Sequence, residues 1–342
     1  MLHAAYLRNN DLRHQPAAWQ EGVLGSVCFG ASSEASRSGP PSVWVPALPL
    51  DQSLAVGEVW RVADRPSSGR SGPISYRCDD GLLFGSCTID EADFVIPATP
   101  EEAGSALQRA TAFAYRSLIA LADRLQFPFL LRVWNFIPQI NRECEGLERY
   151  RQFNIGRQEA LQDRGRPTSG DVPAATAVGV GDGALIIYFL AGRIAPMTIE
   201  NPRQVSAFHY PSQYGVRSPS FSRAALVQLG EQEILFVSGT ASIVGHRSVH
   251  LDDAAAQTRE CLLNIEAVVT EANRFSGAPR FALSNLHYKI FVRRPQDLGL
   301  IRSEVRRAVG DAAHTLYLQA DICRSDLLVE IEGSGGHPLE EL

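Results

Sequence analysis

The chain repeats one pattern of secondary structure over a period of about 150 residues. A strand-like run at residues 81–89 is similar to the run at residues 234–242, since both combine Leu, Phe, Ser, Gly and Thr in a β-rich order. In each copy the same elements follow: a long amphipathic helix (101–125 and 253–273), a strand (130–138 and 286–295), a shorter helix (148–163 and 297–309) and closing strands (175–191 and 315–332). The repeat predicts a duplicated α+β protein of two tandem domains, in which mixed sheets pack against helices.

The position of the two copies sets the predicted domain limits. We expect an N-terminal domain of residues 1–195, in which residues 1–75 add strands to the first copy. A C-terminal domain of residues 196–342 follows, and a Pro- and Ser-rich passage at 199–222 connects the copies. The length of 342 residues agrees with about two domains.

Charge and composition exclude some classes of function. The net charge of −6 at pH 7 argues against general nucleic-acid binding, which needs a basic surface. Of the 32 basic residues only Lys289 is a lysine, so the protein must bind anions largely with arginine, which holds a carboxylate through two parallel hydrogen bonds. The N-terminus lacks the pattern of a signal peptide, and no apolar run reaches membrane-spanning length. Six dispersed cysteines do not suggest a disulfide framework, so we expect a protein of the reducing cytoplasm.

Residues 316–332 predict a β-hairpin, with a turn at 324–326 between two β-rich runs. Side chains alternate along a strand, so Glu330 and Glu332 share one face of the second run. Cys323 ends the first run, within reach of that face. A carboxylic acid and a thiol beside apolar positions are suitable acid–base groups. Strand carboxylates usually point at water, so the pattern alone favours a solvated strand face with an inert cysteine, and both interpretations stay open.

A stretch at residues 148–159 predicts a helix with one polar face. Tyr150, Phe153, Asn154 and Arg157 recur at helical spacing and lie along this face. A phenol, an amide and a guanidinium on one stripe suit a polar, anionic small molecule. The alternative is a helix whose aromatic residues pack inward while its arginines are solvated.

A long loop at residues 208–223 carries Tyr210, Tyr214 and Arg217. Such loops often bind ligands, although a structured connector between domains has the same appearance.

Farther along, Gly239 lies inside a strand, where glycine marks the close approach of a ligand or of another backbone. His246 and His250 flank a predicted turn without a third ligand nearby, so we expect no zinc site.

From about residue 80 to residue 332 the chain resembles the chorismatases, a family that joins two YjgF/RidA-type domains. The resemblance is carried by the residues at 134–141, by the helix at 148–157, by the loop at 209–222 and by the run at 318–324, together with the Glu-Ile-Glu strand at 330–332. It implies two tandem YjgF/RidA-like domains. Single-domain proteins of the YjgF/RidA type are trimers with sites between subunits, so this duplicated chain is expected to be a monomer or a trimer.

The resemblance implies a substrate, chorismate, which is a cyclohexadiene carboxylate with an enolpyruvyl ether and a neighbouring hydroxyl. Release of pyruvate begins with protonation of the terminal methylene carbon, and Glu330 matches the family's acid. A carboxylic acid that burial keeps protonated suits this step. No metal or organic cofactor is needed.

The same resemblance implies which residues bind the substrate. Its two carboxylates require cationic or multi-donor partners. The candidates by motif match are Tyr150, Asn154, Arg157, Tyr210, Tyr214, Arg217 and Gly239. Which arginine binds which carboxylate stays open.

The family divides by product, and two residues bear on the branch. One branch hydrolyses chorismate to a dihydroxycyclohexadiene carboxylate, another forms 3-hydroxybenzoate, and a third gives mixed 3- and 4-hydroxybenzoate. The chain resembles the 3-hydroxybenzoate-forming type in Cys323, seven residues before the catalytic glutamate, and in Gly239. The thiol would help to open a strained oxygen-bridged intermediate, as a proton donor or a transient nucleophile.

Two functions of other classes remain open. A YjgF/RidA-type imine or enamine deaminase would use the same glutamate and would leave the loop and helix motifs without a role. A ligand-binding protein without enzymatic activity would make Glu330 an ordinary strand residue.

Overall fold

The computed structural model describes residues 1–8, 11–30, 41–51, 56–96, 104–276 and 279–340. In this part of the chain two six-stranded sheets and one five-stranded sheet form the body of the protein, and long helices pack on both six-stranded sheets. The fold is α+β, as predicted. The helices are α1 (Ala17–Glu21), α2 (Ala106–Arg124), α3 (Arg149–Asp163), α4 (Ala254–Phe275) and α5 (Leu298–Val309). The strands are β1 (Leu2–Arg8), β2 (Val23–Phe29), β3 (Ser42–Val45), β4 (Val56–Val62), β5 (Ser67–Ser71), β6 (Ile74–Cys78), β7 (Leu82–Ile89), β8 (Phe129–Pro138), β9 (Glu143–Cys144), β10 (Leu147–Glu148), β11 (Ala174–Val180), β12 (Leu185–Gly192), β13 (Met197–Ile199), β14 (Ala224–Leu229), β15 (Gln232–Ala241), β16 (Ile243–Val244), β17 (Arg247–Ser248), β18 (His287–Val292), β19 (Thr315–Gln319), β20 (Val329–Gly335) and β21 (Leu339–Glu340).

The two six-stranded sheets have the same topology, which confirms the predicted duplication. The first sheet has the strand order β11-β8-β12-β7-β6-β5, and the second has the order β19-β18-β20-β15-β14-β13. In both sheets the first two strands are parallel and every other neighbouring pair is antiparallel. The predicted boundary between residues 195 and 196 falls between β12, the last strand of the first sheet, and β13.

The long helix of each copy begins at a capping residue. Oγ of Ser105 accepts a hydrogen bond from the backbone N of Gln108 at 3.1 Å, and the carboxylate of Asp253 accepts one from Ala256 at 2.8 Å. Each cap satisfies a free backbone N–H of the first turn. For this reason α2 begins at Ala106 and not at the predicted residue 101; residues 101–103 lie outside the described residues. Within the described ranges, no helix is long and apolar enough to cross a membrane.

The N-terminal residues form a sheet of their own, which the sequence did not predict. Only β5 and β6 extend the first copy, whereas β1 to β4 and β21 form the five-stranded sheet in the order β21-β1-β4-β2-β3. Its edge pairs residues from the two ends of the chain, because Ala4 lies opposite Leu339. Pairing over such a distance leaves no local signal in the sequence.

The predicted hairpin at residues 316–332 is wrong. β19 pairs with β18 in parallel, and β20 pairs with the other side of β18 in antiparallel orientation. Residues 320–328 therefore connect two strands that flank a third strand and do not contact each other. The segment is longer than a tight turn, and it has room to cross β18.

The three sheets share an apolar core and meet at short junctions. Aromatic rings from different sheets are in contact, with 6.1 Å between the ring centroids of Trp60 and Trp134 and 6.2 Å between those of Phe136 and Phe291. Such contacts stabilise the assembly beyond the burial of apolar area. At one junction the edge strand β11 packs against β15, and the candidate site lies there.

Candidate active site

A cavity of about 230 Å³ lies at the junction of the two six-stranded sheets. Strand β11 of the first sheet and strands β15 and β20 of the second border it, together with α3 and the loops at 210–223 and 323–326. The polar lining residues are Glu148, Tyr150, Arg151, Arg157, Thr176, Tyr210, Tyr214, Arg223, Cys323, Arg324, Ser325, Asp326 and Glu330. Residues that the sequence placed in separate motifs are thus brought together here.

A β-bulge in β15 makes room for Glu330. The register between β15 and β20 shifts by one residue between Val237 and Thr240, so β15 has one extra residue at this point. A Cβ atom on Gly239 would lie 2.0 Å from Oε1 of Glu330, a distance that no non-bonded pair of atoms tolerates. The close approach predicted for Gly239 is therefore an approach to the side chain of Glu330.

Glu330 is buried and protonated at neutral pH. Its side chain faces the cavity, and the residue is only 4% exposed, so of the two interpretations that the residues left open, the solvated strand face is wrong. Burial raises the pKa of Glu330 to about 8, and the negative charge of Glu332 adds to this shift. Arg132 and Arg223 act in the opposite direction without cancelling it. A neutral carboxylic acid in a cavity can donate a proton.

The neighbouring Glu332 has the opposite character. Although burial favours the neutral form of this carboxyl, the cations Lys289 and Arg132 hold the pKa of Glu332 below its usual range. Lys289 Nζ lies 3.0 Å from the carboxylate and Arg132 Nη2 lies 2.8 Å from it. Two carboxyl groups on one strand face therefore differ in protonation state at neutral pH.

Cys323 lines the same cavity as a neutral thiol. Burial raises the pKa of Cys323 to about 12, and the proximity of Glu330 contributes to the shift. The thiolate is the nucleophilic form of cysteine, and it is scarce under these conditions. The environment favours a proton-donating role for Cys323 over a nucleophilic one.

The predicted polar face of α3 points into the site. Tyr150 and Arg157 line the cavity, and Arg157 stacks on Phe153 with 5.1 Å between the guanidinium carbon and the ring centroid. Asn154 is buried behind Arg157 and accepts a hydrogen bond from its Nη2 at 2.8 Å. Asn154 thus orients Arg157, and Arg157 is the residue that reaches the cavity.

The loop at 210–223 closes one side of the cavity. Tyr210 and Tyr214 line it, and the guanidinium of Arg324 lies 4.0 Å from the ring centroid of Tyr214. Arg223 donates a hydrogen bond to the hydroxyl of Tyr210 at 2.9 Å. Arg217 is exposed and does not line the cavity.

The two histidines with i, i+4 spacing have separate partners. Nδ1 of His246 lies 3.1 Å from the hydroxyl of Tyr214, and Nε2 of His250 lies 3.4 Å from a carboxylate oxygen of Glu260. Among the residues that the structure describes, no group of three or more His, Cys, Asp or Glu side chains is arranged to hold a metal ion.

Comparison with known proteins places the chain in a family. Residues 58–191 match the family model described as chorismatase FkbO/Hyg5-like, N-terminal. A 3-hydroxybenzoate synthase of Streptomyces hygroscopicus is 42% identical over an alignment of 345 positions, gaps included, which covers 96% of this chain and 96% of that protein. The chain belongs to the chorismatase family.

Further chorismatases support this assignment over the whole length of the chain. A chorismatase of Streptomyces hygroscopicus is 36% identical over 337 residues, which cover 96% of this chain and 94% of that protein. A crystal structure of a chorismatase superposes with a TM-score of 0.85 at 32% identity and covers 98% of both chains. The predicted recognition as a chorismatase, the enzyme class and the duplicated α+β fold are thereby confirmed.

Three arginines of this chorismatase-family site present unused donors. Nε of Arg157, Nε of Arg223 and Nη2 of Arg324 are buried and have no hydrogen-bond partner among the described residues. All three residues line the cavity. Buried donors without partners are costly, and a bound anion would satisfy them.

Sequence reasoning missed Thr176, Arg223 and Arg324 as site residues. Arg324 ends the run at 318–324 that the family resemblance includes, and Arg223 directly follows the loop at 209–222, but no pattern distinguishes them from solvated arginines. Thr176 lies on the edge strand β11, and only the contact between the two sheets brings it to the cavity.

Proposed function

We propose that the protein converts chorismate to 3-hydroxybenzoate and pyruvate, with Glu330 as the general acid. The observation that carries the proposal is the buried carboxylic acid, with a pKa raised to about 8, in a cavity lined by arginines with unused donors. The relative named 3-hydroxybenzoate synthase, at 42% identity, supports the substrate and the product.

Protonation of the enolpyruvyl methylene carbon is the step for which Glu330 is suited. Carbon is a weak base, so the acid must be held close to it and must be protonated at the working pH. Transfer of the proton leaves a cation that the ether oxygen stabilises and an ionised Glu330. Arg132 and Arg223, which favour the ionised form of Glu330, offset part of the cost of this charge.

The arginines are suited to the two carboxylates of chorismate. Arg157 lies on α3, whereas Arg223 and Arg324 lie beside Tyr210 and Tyr214 on the opposite loops. Two separate groups of donors match a substrate with two separate anionic ends. We therefore assign carboxylate binding to these three arginines, with Tyr150, Tyr210 and Tyr214 as additional donors.

Product formation requires no water. After protonation, the neighbouring hydroxyl oxygen of the substrate attacks the ring carbon that carries the ether. The bond between this carbon and the ether oxygen breaks, pyruvate leaves, and the hydroxyl proton passes to the ionised Glu330, which leaves an oxygen-bridged ring. The bridge opens as its oxygen takes up a proton, and the ring carbon that keeps the oxygen loses its hydrogen as a proton, which restores aromaticity. 3-Hydroxybenzoate and pyruvate together contain all the atoms of chorismate and no others. Cys323, as a neutral thiol at the cavity, is placed to donate a proton when the oxygen-bridged intermediate opens.

Product analysis tests the proposal. We expect purified protein with chorismate in H₂¹⁸O to give equimolar pyruvate and 3-hydroxybenzoate, with no ¹⁸O in the ring hydroxyl. A non-aromatic diol in place of 3-hydroxybenzoate would assign the hydrolytic reaction, and absence of turnover would contradict both. Cys323→Ala should lower the share of 3-hydroxybenzoate among the products, while Cys261→Ala, which removes a buried thiol outside the cavity lining, should not. An unchanged product ratio in Cys323→Ala would remove the thiol from the mechanism.

The cavity is lined by strands of both six-stranded sheets, so the two copies of the duplicated chain form it between them, which supports a monomeric enzyme. Light scattering after size exclusion should then give a mass near 37.3 kDa. A mass three times larger would assign the trimer.

A further inference from the structure

The carboxylate of Glu332 is held by four donors. Oε1 accepts hydrogen bonds from Nε1 of Trp134 at 2.7 Å and lies 3.0 Å from Nζ of Lys289. Oε2 accepts hydrogen bonds from Nη2 of Arg132 at 2.8 Å and from Oγ1 of Thr176 at 2.5 Å. Four donors, two of them cationic, fix this carboxyl as an anion in one orientation.

The cations that hold Glu332 are balanced by a second carboxylate. Lys289 also lies 2.9 Å from Glu58, a buried residue of the five-stranded sheet. Arg132, Lys289, Glu58 and Glu332, which we call the charge network, sum to zero formal charge. Because the charges cancel, the network leaves no excess cation beside Glu330. Removal of the charge of Glu332 would leave an excess of one positive charge there.

Glu330 has no comparable partners. Among the hydrogen bonds of the described residues, none ends on its carboxyl, although Glu332 is two residues away on the same strand face. The titratable groups whose charges interact with Glu330 are Glu332 on its own strand, Arg132 on β8, Arg223 before β14, Cys323 before β20, Tyr150 on α3 and Cys261 on α4. Of these, only Glu332 is both ionised and negative at neutral pH, since burial raises the pKa of both thiols and of Tyr150.

We propose that Glu332 is a positioning residue for the reaction: fixed as an anion by Lys289 and Arg132, it keeps the carboxyl of Glu330 protonated and in place. A fixed like charge two residues away on the same strand face disfavours ionisation of its neighbour. The geometry adds a second effect, because Oγ1 of Thr176 donates to Glu332 and accepts from the backbone N of Gly239 at 3.0 Å. The bulge against which Glu330 lies is thus tied to Glu332. The inference rests on the proposed function of Glu330.

The pH dependence of kcat/KM in the variant Glu332→Gln tests this role. In the wild type we expect kcat/KM for chorismate to fall above about pH 8, as Glu330 ionises. In Glu332→Gln this alkaline limb should move to lower pH by at least about one unit. At pH 9 kcat/KM of the variant should then be about tenfold lower than that of the wild type. At pH 5 the variant should recover to within a few-fold of the wild type. A purely structural role would lower kcat/KM equally at every pH and would leave the limb unmoved, and that result would overturn the proposal.

Glu332→Asp is the matched control, because it keeps the charge. Its alkaline limb should stay within about half a pH unit of the wild type. A limb displaced as far as in Glu332→Gln would show that the charge is not what matters, and would also overturn the proposal.

A titration of the wild-type protein separates failure of this inference from failure of the proposed function, and it does not depend on whether Glu332→Gln folds. ¹³C NMR of protein labelled at the glutamate carboxyl carbons follows each group directly, and loss of a signal in Glu330→Gln or Glu332→Asp identifies it. Glu332 should stay ionised from pH 5 to 9 while Glu330 titrates near pH 8. A neutral Glu332 in this range would contradict the inference, even if chorismate is converted. Absence of chorismate turnover would contradict only the proposed function.

Discussion

The two six-stranded sheets have one topology, but only the second carries an acid at its junction. In the first sheet Ile186 of β12 lies opposite Phe136, and at the equivalent pair of the second sheet Glu330 of β20 lies opposite Phe291. Ile186 is therefore the counterpart of Glu330. Two residues farther along the same strands, Tyr188 lies opposite Trp134 in the first sheet, and Glu332 lies opposite Lys289 in the second. A common fold therefore supplies the frame, and a few side chains decide where chemistry is possible.

The backbone differs as well, beside Glu330. β7 pairs with β12 without a shift of register, and its single residue Ser86 lies opposite Tyr188. At the equivalent point β15 has two residues, Ser238 and Gly239. One of these two residues, Gly239, has no side chain, so the carboxyl of Glu330 can lie where a Cβ atom would otherwise be. The acid and the bulge are thus a matched pair, and neither is present in the first sheet.

The largest expected effect comes from replacing Glu330, the acid that the first sheet lacks. Glu330→Gln removes the proton donor while it preserves the shape of the side chain, so kcat should fall by about 10³-fold or more. Ile186→Val, at the equivalent position of the first sheet, should leave kcat within about twofold, because it removes only one methylene group. Steady-state assays of pyruvate release measure both. A Glu330→Gln variant with more than a tenth of the wild-type rate would contradict the assignment.

A second comparison concerns the two shorter helices, since α3 lines the cavity and its counterpart α5 does not. Arg157→Lys keeps the charge but loses the planar fork of donors, so KM for chorismate should rise by about 10- to 100-fold. Arg217→Lys is the control, because Arg217 is exposed and outside the cavity lining. Equal effects of the two substitutions would mean that the loop reaches the substrate in the complex.

The bulge gives a smaller expected effect. Gly239→Ala places a methyl group where the carboxyl of Glu330 lies, so kcat should fall about tenfold while KM changes less. Ser86→Ala, at the equivalent place in β7, should leave kcat unchanged. Full activity of Gly239→Ala would show that Glu330 acts from a different position.

The last expected effect is on stability and not on rate, and it has the opposite sign to the effect on activity. Because burial raises the pKa of Glu330 from 4.5 to about 8, the unfolded state ionises first. The wild type therefore loses stability, relative to Glu330→Gln, between about pH 4.5 and 8, and the difference at pH 7 is on the order of 3 kcal/mol. Urea unfolding at pH 4 and pH 7 measures this. A difference between the two proteins that does not grow from pH 4 to pH 7 would argue against a raised pKa.

Local patterns predicted the elements of the fold well and their pairing poorly. Helical spacing predicted α3 and its polar face with Tyr150 and Arg157, since the signal lies within one element. Strand order has no such signal, so the connection at 320–328 was predicted as a hairpin, although it crosses β18. Site residues such as Thr176 and Arg223 depend on contact between sheets, and no spacing in the sequence encodes that contact.

Glu332 is the clearest case of what the sequence leaves undecided. Two glutamates on one strand face have the same appearance in the sequence, yet Glu332 receives four donors and Glu330 receives none among the described residues. The difference arises from Arg132, Trp134 and Thr176 on the first sheet and from Lys289 on β18. A protonation state of this kind follows from three-dimensional neighbours alone.

The central claim is that Glu330 gives its proton to the methylene carbon of chorismate, and solvent deuterium tests it most directly. Glu330 exchanges its proton with solvent, so turnover in D₂O should place one deuterium in the methyl group of each pyruvate, as read by mass spectrometry at early times. The account predicts this label in the wild type and the absence of pyruvate formation in Glu330→Gln. Pyruvate formed by the wild type without deuterium would show that the hydrogen comes from the substrate itself, and it would contradict the account.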